Sequence, residues 1–260
     1  MFTLLYEGET LTLPSREFNI CSSMFLFCHL TAGLLVGLAF YAWRKDLRAV
    51  PAAALGAVLP DLVDKPLGLL LRGTLSYGRI FAHSLVFALA LLVLGFLLYW
   101  RTRSPLGIAL AAGVLSHQFL DALWLEPVTW FWPLLGPFPE PVPEPLLEYL
   151  LRQVTQPAEW VFAAGAAFSG LALAARVSGH RARTTASIIS LGMAFFGMWA
   201  ALCAVTGSFC PVTAWDDRTS NLIVAVVLLL GAMAVDRVGG MAARSAGVGL
   251  PGTGSQEGVA

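Results

Sequence analysis

The sequence predicts an all-α fold, a polytopic membrane helix bundle of about seven transmembrane or re-entrant helices. Hydrophobic residues make up 57% of the 260 positions and charged residues only 12%, whereas soluble domains carry about 25% charged residues. A soluble fold of this size needs a more polar exterior than this composition supplies. The formal net charge is zero, so the composition does not indicate a nucleic-acid partner.

Several apolar, charge-poor runs are candidate membrane spans, because a helix needs about 17–25 residues to cross a hydrocarbon core of about 30 Å. Four runs qualify by length alone, at residues 24–43, 80–100, 105–125 and 186–205. The run at 160–175 is slightly short, and it lengthens if Pro157 opens its helix. The run at 222–235 becomes long enough if Asn221 and Asp236 lie at its rims.

The remaining segment begins at Ala49 and has an unusual charge pattern. Only 12 residues separate Arg48 from Asp61, and a helix of that length spans about 18 Å, too little to cross a bilayer. Two alternatives follow. Either Asp61, Asp64 and Lys65 lie at membrane depth, or the segment enters the membrane and returns. Both place carboxylates where they are costly unless they have partners.

The Lys and Arg residues predict the orientation of the bundle. If the first span ends inside the cell, ten of the 16 Lys and Arg residues fall on one face, among them Arg101, Arg103, Arg181 and Arg183. An excess of Lys and Arg marks the cytoplasmic face. We therefore expect a multi-pass protein of the plasma (inner) membrane.

Histidine and aspartate side chains inside the apolar runs are the candidate functional residues. His29, His83 and His117 lie in predicted spans, and Asp121 follows His117 by four residues, on the same helix face. In the alternating topology these residues, with Asp61 and Asp64, all reach the outer end of the bundle. Imidazole and carboxylate groups together suit a divalent transition metal such as zinc, manganese or iron. The alternatives are structural hydrogen bonds or a proton relay.

Four stretches of the sequence carry a resemblance to a known family. They are CHLTAGLLVG (28–37), LPDLVDKPLG (59–68), GRIFAHSLVF (78–87) and LSHQFLDALWLEPVTWFWPLLGPFP (115–139). They resemble the predicted membrane-bound, metal-dependent hydrolases of prokaryotes, a family that is distantly similar to zinc-dependent phospholipases C and related nucleases. The resemblance implies phosphoester chemistry and assigns five metal ligands: His29, Asp61, His83, His117 and Asp121.

The chain departs from the family pattern at three positions. Gly78 replaces the first His of the His-Arg-Gly-x-Thr-His-Ser block, and Ala82 replaces its Thr, although Arg79 matches. The second Asp of the Leu-Pro-Asp motif comes one residue late, with Val63 in the usual place and Asp64 after it. A missing ligand favours a mononuclear or reduced site over a fully loaded multinuclear one.

The leading hypothesis is a metal-dependent hydrolase that acts on a lipid-linked ester or phosphoester at the outer membrane surface. A bound metal would activate water and polarise the ester, leaving Asp64 as the candidate catalytic base or an additional ligand. Arg79 and Lys65 are candidates for binding an anionic headgroup.

The alternatives are an ion or proton transporter that uses the same His/Asp cluster, and a non-catalytic membrane anchor. Glu126 is interpreted as solvated, and His180 is excluded because it lies on the cytoplasmic face.

Composition divides the chain into four parts. They are a polar N-terminal extension (1–23), a metal-site membrane domain (24–139), C-terminal scaffold helices (140–238) and a disordered tail (239–260). The extension lacks the features of a signal peptide, and Met24 is an alternative start. The stretch 127–145, rich in Pro and aromatic residues, suits an outer interfacial loop, and 146–154 suits a short amphipathic helix beside it.

Overall fold

The computed structural model describes residues 26–71, 79–137, 151, 155–174 and 178–245. Within these residues the chain forms eight α-helices and one short 3₁₀ helix, and it has no β-strand. The helices are α1 (Leu26–Arg44), α2 (Ala49–Leu70), α3 (Leu85–Thr102), α4 (Leu106–Leu120), α5 (Pro127–Trp130), α6 (Pro157–Leu173), α7 (Gly179–Thr206) and α8 (Arg218–Ser245), with the 3₁₀ helix at Leu123–Leu125. The all-α prediction is confirmed.

Four of the described helices, α1, α3, α7 and α8, are long and apolar enough to cross a membrane. Helices α4 and α6 are apolar but shorter, with 15 and 17 residues. Helix α2 has 22 residues and carries Asp61, Asp64 and Lys65 in its second half. The helical membrane class is therefore supported, while the count of seven spans stays a prediction.

Helix α2 shows the conformation of the segment after Ala49, and both alternatives for its place in the membrane stay predictions. It is one continuous helix that is about 33 Å long at 1.5 Å per residue. It does not reverse direction within Ala49–Leu70. Pro60 and Pro66 lie inside it and remove backbone donors near the charged residues.

Glycine contacts bring the N-terminal helices together at short range. A Cβ at Gly37 of α1 would lie 2.5 Å from the Cα of Val50 in α2. A Cβ at Gly113 of α4 would lie 2.2 Å from the carbonyl oxygen of Ala53. Small residues that permit such close backbone approach are typical of helix packing in membranes. Because α1 and α4 both pack closely on α2, the polar residues of the three helices meet at one level.

Helices α6, α7 and α8 form the C-terminal half. Helices α7 and α8 pack against each other along their length, and Phe162, Met193 and Leu228 are fully buried in the shared core. Asp217 caps α8, because its Oδ2 accepts a hydrogen bond from the backbone N–H of Ser220 at 2.7 Å. Helix α6 also contacts α1, so this half touches the helix that carries His29.

Several helix ends differ from the predicted ones for local reasons. Helix α3 begins at Leu85 rather than residue 80, because the Ser84 hydroxyl caps it by accepting from the Phe87 N–H at 3.2 Å. Helix α4 ends at Leu120 rather than 125, since Ala122 has a positive φ of 50°. Helix α6 begins at Pro157, as expected.

The predicted terminal segments fall largely outside the described residues. Helix α8 continues to Ser245, so the predicted tail at 239–260 starts inside a helix, and its remainder, 246–260, is outside the described range. The N-terminal extension 1–23 and the amphipathic helix predicted at 146–154, apart from Leu151, also lie outside it.

Candidate metal centre

All five predicted metal ligands converge at one end of the N-terminal helices. His29 lies in the first turn of α1, Asp61 in α2 and His117 in α4, while His83 and Asp121 lie in the turns beside α3 and α4. Two groups of three have ligand atoms that all lie within 4.8 Å of one another. One group is His29, His117 and Asp121, and the other is Asp61, His83 and His117. All of these side chains are buried.

The Asp64 carboxylate organises the turn that carries His83. Its Oδ2 accepts hydrogen bonds from the Ile80 N–H at 2.8 Å and the His83 N–H at 3.2 Å, and its Oδ1 accepts from the Ala82 N–H at 3.1 Å. The same Oδ2 lies 2.7 Å from His83 Nδ1. A carboxylate accepts, so His83 Nδ1 carries the proton and Nε2 presents a lone pair. A carboxylate behind a histidine is the usual support of a histidine metal ligand.

The backbone of α2 fixes His117 in the same way. Its Nδ1 lies 2.7 Å from the carbonyl oxygen of Ala57, which can only accept a hydrogen bond. Nδ1 is therefore the protonated nitrogen, and Nε2 presents a lone pair. The Nε2 atoms of His83 and His117 are 3.1 Å apart. Two lone pairs at this distance repel each other unless a cation, either a metal ion or an added proton, lies between them.

Two carboxylates complete the ring of donors around this point. Asp61 Oδ1 lies 3.6 Å from His83 Nε2 and 3.9 Å from His117 Nε2. Asp121 Oδ2 lies 3.8 Å and 3.6 Å from the same two atoms. Tetrahedral zinc with bonds of about 2.0–2.2 Å places its ligand atoms about 3.3–3.6 Å apart. The observed spacings are close to those of such a ligand shell.

His29 lies on the other side of His117, with its ring stacked at a centroid distance of 3.9 Å. Its Nε2 is 3.2 Å from Asp121 Oδ1, without hydrogen-bond geometry. Neither ring nitrogen of His29 has a hydrogen-bond partner among the described residues, and the same is true of Asp121 Oδ1. A buried polar atom without a partner costs about 1–3 kcal/mol. Metal coordination would satisfy one ring nitrogen of His29 and Asp121 Oδ1, so the residues fit a divalent metal ion.

The predicted substrate-binding residues lie beside the cluster and pair with its carboxylates. Lys65 Nζ is 2.7 Å from Asp61 Oδ2. The Arg79 guanidinium is 3.1 Å from Asp121 Oδ2 and 2.6 Å from Glu126 Oε1. Glu126 is thus joined to the cluster through Arg79, a connection that its interpretation as a solvated residue missed.

Two buried residues that support the cluster were not singled out from the sequence. Gln118 donates to the Ser84 carbonyl at 2.8 Å and accepts from Trp130 Nε1 at 3.0 Å, so it ties the His83 turn to α5. Glu159 accepts from the backbone N–H groups of Phe27 and Cys28, just before His29. Glu159 could have been identified from the sequence, because it is a charged residue at the start of an apolar run.

Three other positions lie apart from the cluster or outside the described residues. His180 is exposed in the first turn of α7, in agreement with its exclusion. Asp217 serves as the cap of α8. Gly78, the position of the missing family histidine, lies outside the described residues.

Comparison with known proteins gives one family match. A family model described as YdjM inner membrane protein matches residues 24–239, a range that contains every residue of the cluster and Glu159. No curated protein and no solved structure matches the chain.

Proposed function

The chain belongs to the YdjM inner membrane protein family, and we propose that it is a metal-dependent hydrolase of lipid-linked esters or phosphoesters. The observation that carries the proposal is the 3.1 Å approach of His83 Nε2 and His117 Nε2. Nδ1 of each ring donates a hydrogen bond, to Asp64 from His83 and to the Ala57 carbonyl from His117. A histidine cluster built only for hydrogen bonding would leave a donor between the two rings, whereas a metal site requires two lone pairs.

The charges around the cluster favour one divalent ion. Lys65 pairs with Asp61, and Arg79 pairs with both Asp121 and Glu126, so these two cations face four carboxylates, counting Asp64, and the set has a net charge of −2. Neutral imidazoles contribute no charge. One divalent cation therefore balances the cluster, and zinc is the first choice for imidazole and carboxylate ligands, with manganese or iron as alternatives.

Each residue of the cluster has a proposed role. His29, Asp61, His83, His117 and Asp121 are the metal ligands. Such an ion supplies Lewis-acid polarisation of the ester and activation of water.

The geometry changes the role that we propose for Asp64. Both of its oxygens accept hydrogen bonds from backbone N–H groups, and one of them also faces His83 Nδ1. These contacts support a positioning role, in which Asp64 fixes the tautomer and orientation of His83, over the role of catalytic base that the sequence suggested. Arg79 would bind an anionic group of the substrate while it orients Asp121, and Lys65 would do the same beside Asp61.

The proposed location follows from the positive-inside rule and the level of the cluster. We propose that the protein crosses the membrane several times and that the cluster faces the extracytoplasmic side. The exposed apolar residues Trp124, Leu134 and Leu135 follow the last ligand and suit contact with the lipid interface. A substrate that is itself a membrane lipid, or is linked to one, would then reach the site from the bilayer.

The test is hydrolysis by the purified, zinc-loaded protein in vesicles of phosphatidylglycerol and phosphatidylethanolamine, with release of acid or phosphate measured. We expect turnover by the parent and by His180→Ala, the matched control outside the cluster, and none by His117→Ala. A parent that cleaves no ester or phosphoester, yet carries zinc or protons across the vesicle membrane, contradicts the proposal and supports the transport alternative.

A further inference from the structure

We infer that Glu159, which the C-terminal half of the chain supplies, is the positioning residue for His29; this inference rests on the proposed metal site. The Glu159 carboxylate is buried and accepts hydrogen bonds from the Phe27 N–H at 3.1 Å and the Cys28 N–H at 3.2 Å. These two residues immediately precede His29 in the first turn of α1.

The first N–H groups of a helix have no partner within the helix, so a buried helix start needs an acceptor from elsewhere. The positive end of the helix dipole also favours a negative group at this place. Glu159 meets both needs across the interface between α6 and α1. Without its carboxylate, buried N–H groups would be left unsatisfied and the first turn of α1 would open.

The other four ligands have supports outside the ligand set, whereas the polar contact of His29 is with another ligand, its Nε2 lying 3.2 Å from Asp121 Oδ1. His83 is fixed by Asp64 and His117 by the Ala57 carbonyl, while Asp61 pairs with Lys65 and Asp121 pairs with Arg79. The ring nitrogens of His29 have no hydrogen-bond partner among the described residues. Its position therefore depends on stacking against His117, on the contact with Asp121 and on the placement of the α1 backbone, which Glu159 holds.

Glu159 is itself held firmly at the start of α6. Pro157 is the first residue of this helix, and the Ala158 N–H donates to the Val212 carbonyl at 3.0 Å, in the segment before α8. The C-terminal half, predicted from the sequence to be scaffold, thereby contributes directly to the metal centre.

The experiment compares Glu159→Ala, Glu159→Gln, His29→Ala and the double variant Glu159→Ala/His29→Ala in the full chain. The first readout is zinc affinity, measured by competition with a chromophoric chelator. The second is the reactivity of the buried Cys28 thiol towards maleimide, read by peptide mass spectrometry, with buried Cys203 as the internal control.

We expect Glu159→Ala to weaken zinc binding by about 10–100-fold, the usual effect of losing a support of a ligand, and to expose Cys28 while Cys203 stays protected. Glu159→Gln keeps an oxygen acceptor and should recover most of the affinity. In the His29→Ala background, Glu159→Ala should cause no further loss, because the two changes remove the same ligand.

An unchanged affinity in Glu159→Ala, or a loss that adds fully to that of His29→Ala, overturns the inference. If Glu159→Ala does not fold, the test relies on Glu159→Gln. Full protection of Cys28 and near-normal zinc affinity in this variant support the inference. A loss of zinc affinity as large as that of His29→Ala overturns it. If the parent binds no zinc, the proposed function fails separately. The labelling of Cys28 then tests whether Glu159 fixes the first turn of α1. Exposure of Cys28 in Glu159→Ala supports this role, and continued protection overturns it.

Discussion

His83 and His117 face each other through their Nε2 atoms at 3.1 Å, in the buried centre of a ring of acidic side chains. The hydrogen-bond acceptors behind the two rings indicate which nitrogen of each ring carries the proton. His83 Nδ1 donates its proton to Asp64 and His117 Nδ1 donates its proton to the Ala57 carbonyl, so both Nε2 atoms present lone pairs. Relief of the repulsion between these lone pairs requires a cation, and we propose a divalent metal because Asp61 and Asp121 surround the same point.

Asp64→Asn tests whether this residue positions His83. Asparagine keeps one oxygen for His83 Nδ1 but loses the negative charge, and its NH₂ group would face the Ala82 N–H that donates to Oδ1 in the parent, so the support of His83 weakens. We expect zinc affinity to fall about 10–100-fold, measured by chelator competition. Asp236→Asn, in α8 where the carboxylate pairs with Arg183, is the matched control and should bind zinc like the parent. Full zinc affinity with a much lower rate of hydrolysis would instead restore Asp64 as the catalytic base.

Arg79→Gln tests the proposed contact with an anionic headgroup. The change removes a positive charge beside Asp121, so zinc affinity should stay the same or rise. The KM for an anionic lipid should increase about tenfold or more, since a charged hydrogen bond contributes about 1.5–3 kcal/mol, while kcat changes less. Arg48→Gln provides the control, because Arg48 is exposed and pairs with Asp46 in the loop between α1 and α2. An unchanged KM in Arg79→Gln contradicts this role.

Gly113→Ala tests the packing that brings α2 and α4 together. The added methyl group would lie 2.2 Å from the Ala53 carbonyl oxygen, so the helices must separate. We expect the free energy of unfolding to fall by about 1–3 kcal/mol, measured by SDS titration in mixed micelles, and zinc affinity to fall with it. Gly192→Ala in α7 has no atom within 4 Å of the new methyl group, so it should stabilise the helix by up to about 1 kcal/mol. Equal effects of the two changes would contradict this packing.

Single cysteines test the orientation of the bundle. Ser178 and Leu134 are both exposed, and the predicted topology places Ser178 in the cytoplasm and Leu134 outside. In a Cys21→Ser background, a membrane-impermeant maleimide applied to intact spheroplasts should label Leu134→Cys but not Ser178→Cys. The buried cysteines at positions 28, 203 and 210 should not contribute. Labelling of position 178 alone would reverse the orientation.

The meeting of these His and Asp side chains could be predicted from the sequence because ionisable residues are rare and costly in apolar helices. His29, His83 and His117 stood out against their neighbours, and the spacing of His117 and Asp121 placed both on one helix face. The role of Asp64 could not be predicted in this way. Its partners are backbone N–H groups of a non-helical turn, and the sequence pattern extended helix α3 through that turn.

Long-range contacts were the other part that the sequence did not reveal. Glu159 and Cys28 are separated by 131 positions, and no local pattern joins them. The Arg79 contact with Glu126 is similar, because both residues lie outside the regular helices, where periodicity gives no direction for a side chain.

The most direct test of the metal centre is the metal content of the purified protein. The parent, His117→Ala and His180→Ala would be incubated with zinc in detergent, dialysed against metal-free buffer and measured by plasma mass spectrometry. We predict about one zinc ion per chain in the parent and in His180→Ala, and almost none in His117→Ala, since the loss of one Nε2 opens the ligand shell. A parent that retains no zinc, or a His117→Ala variant that retains as much as the parent, would contradict the proposed centre.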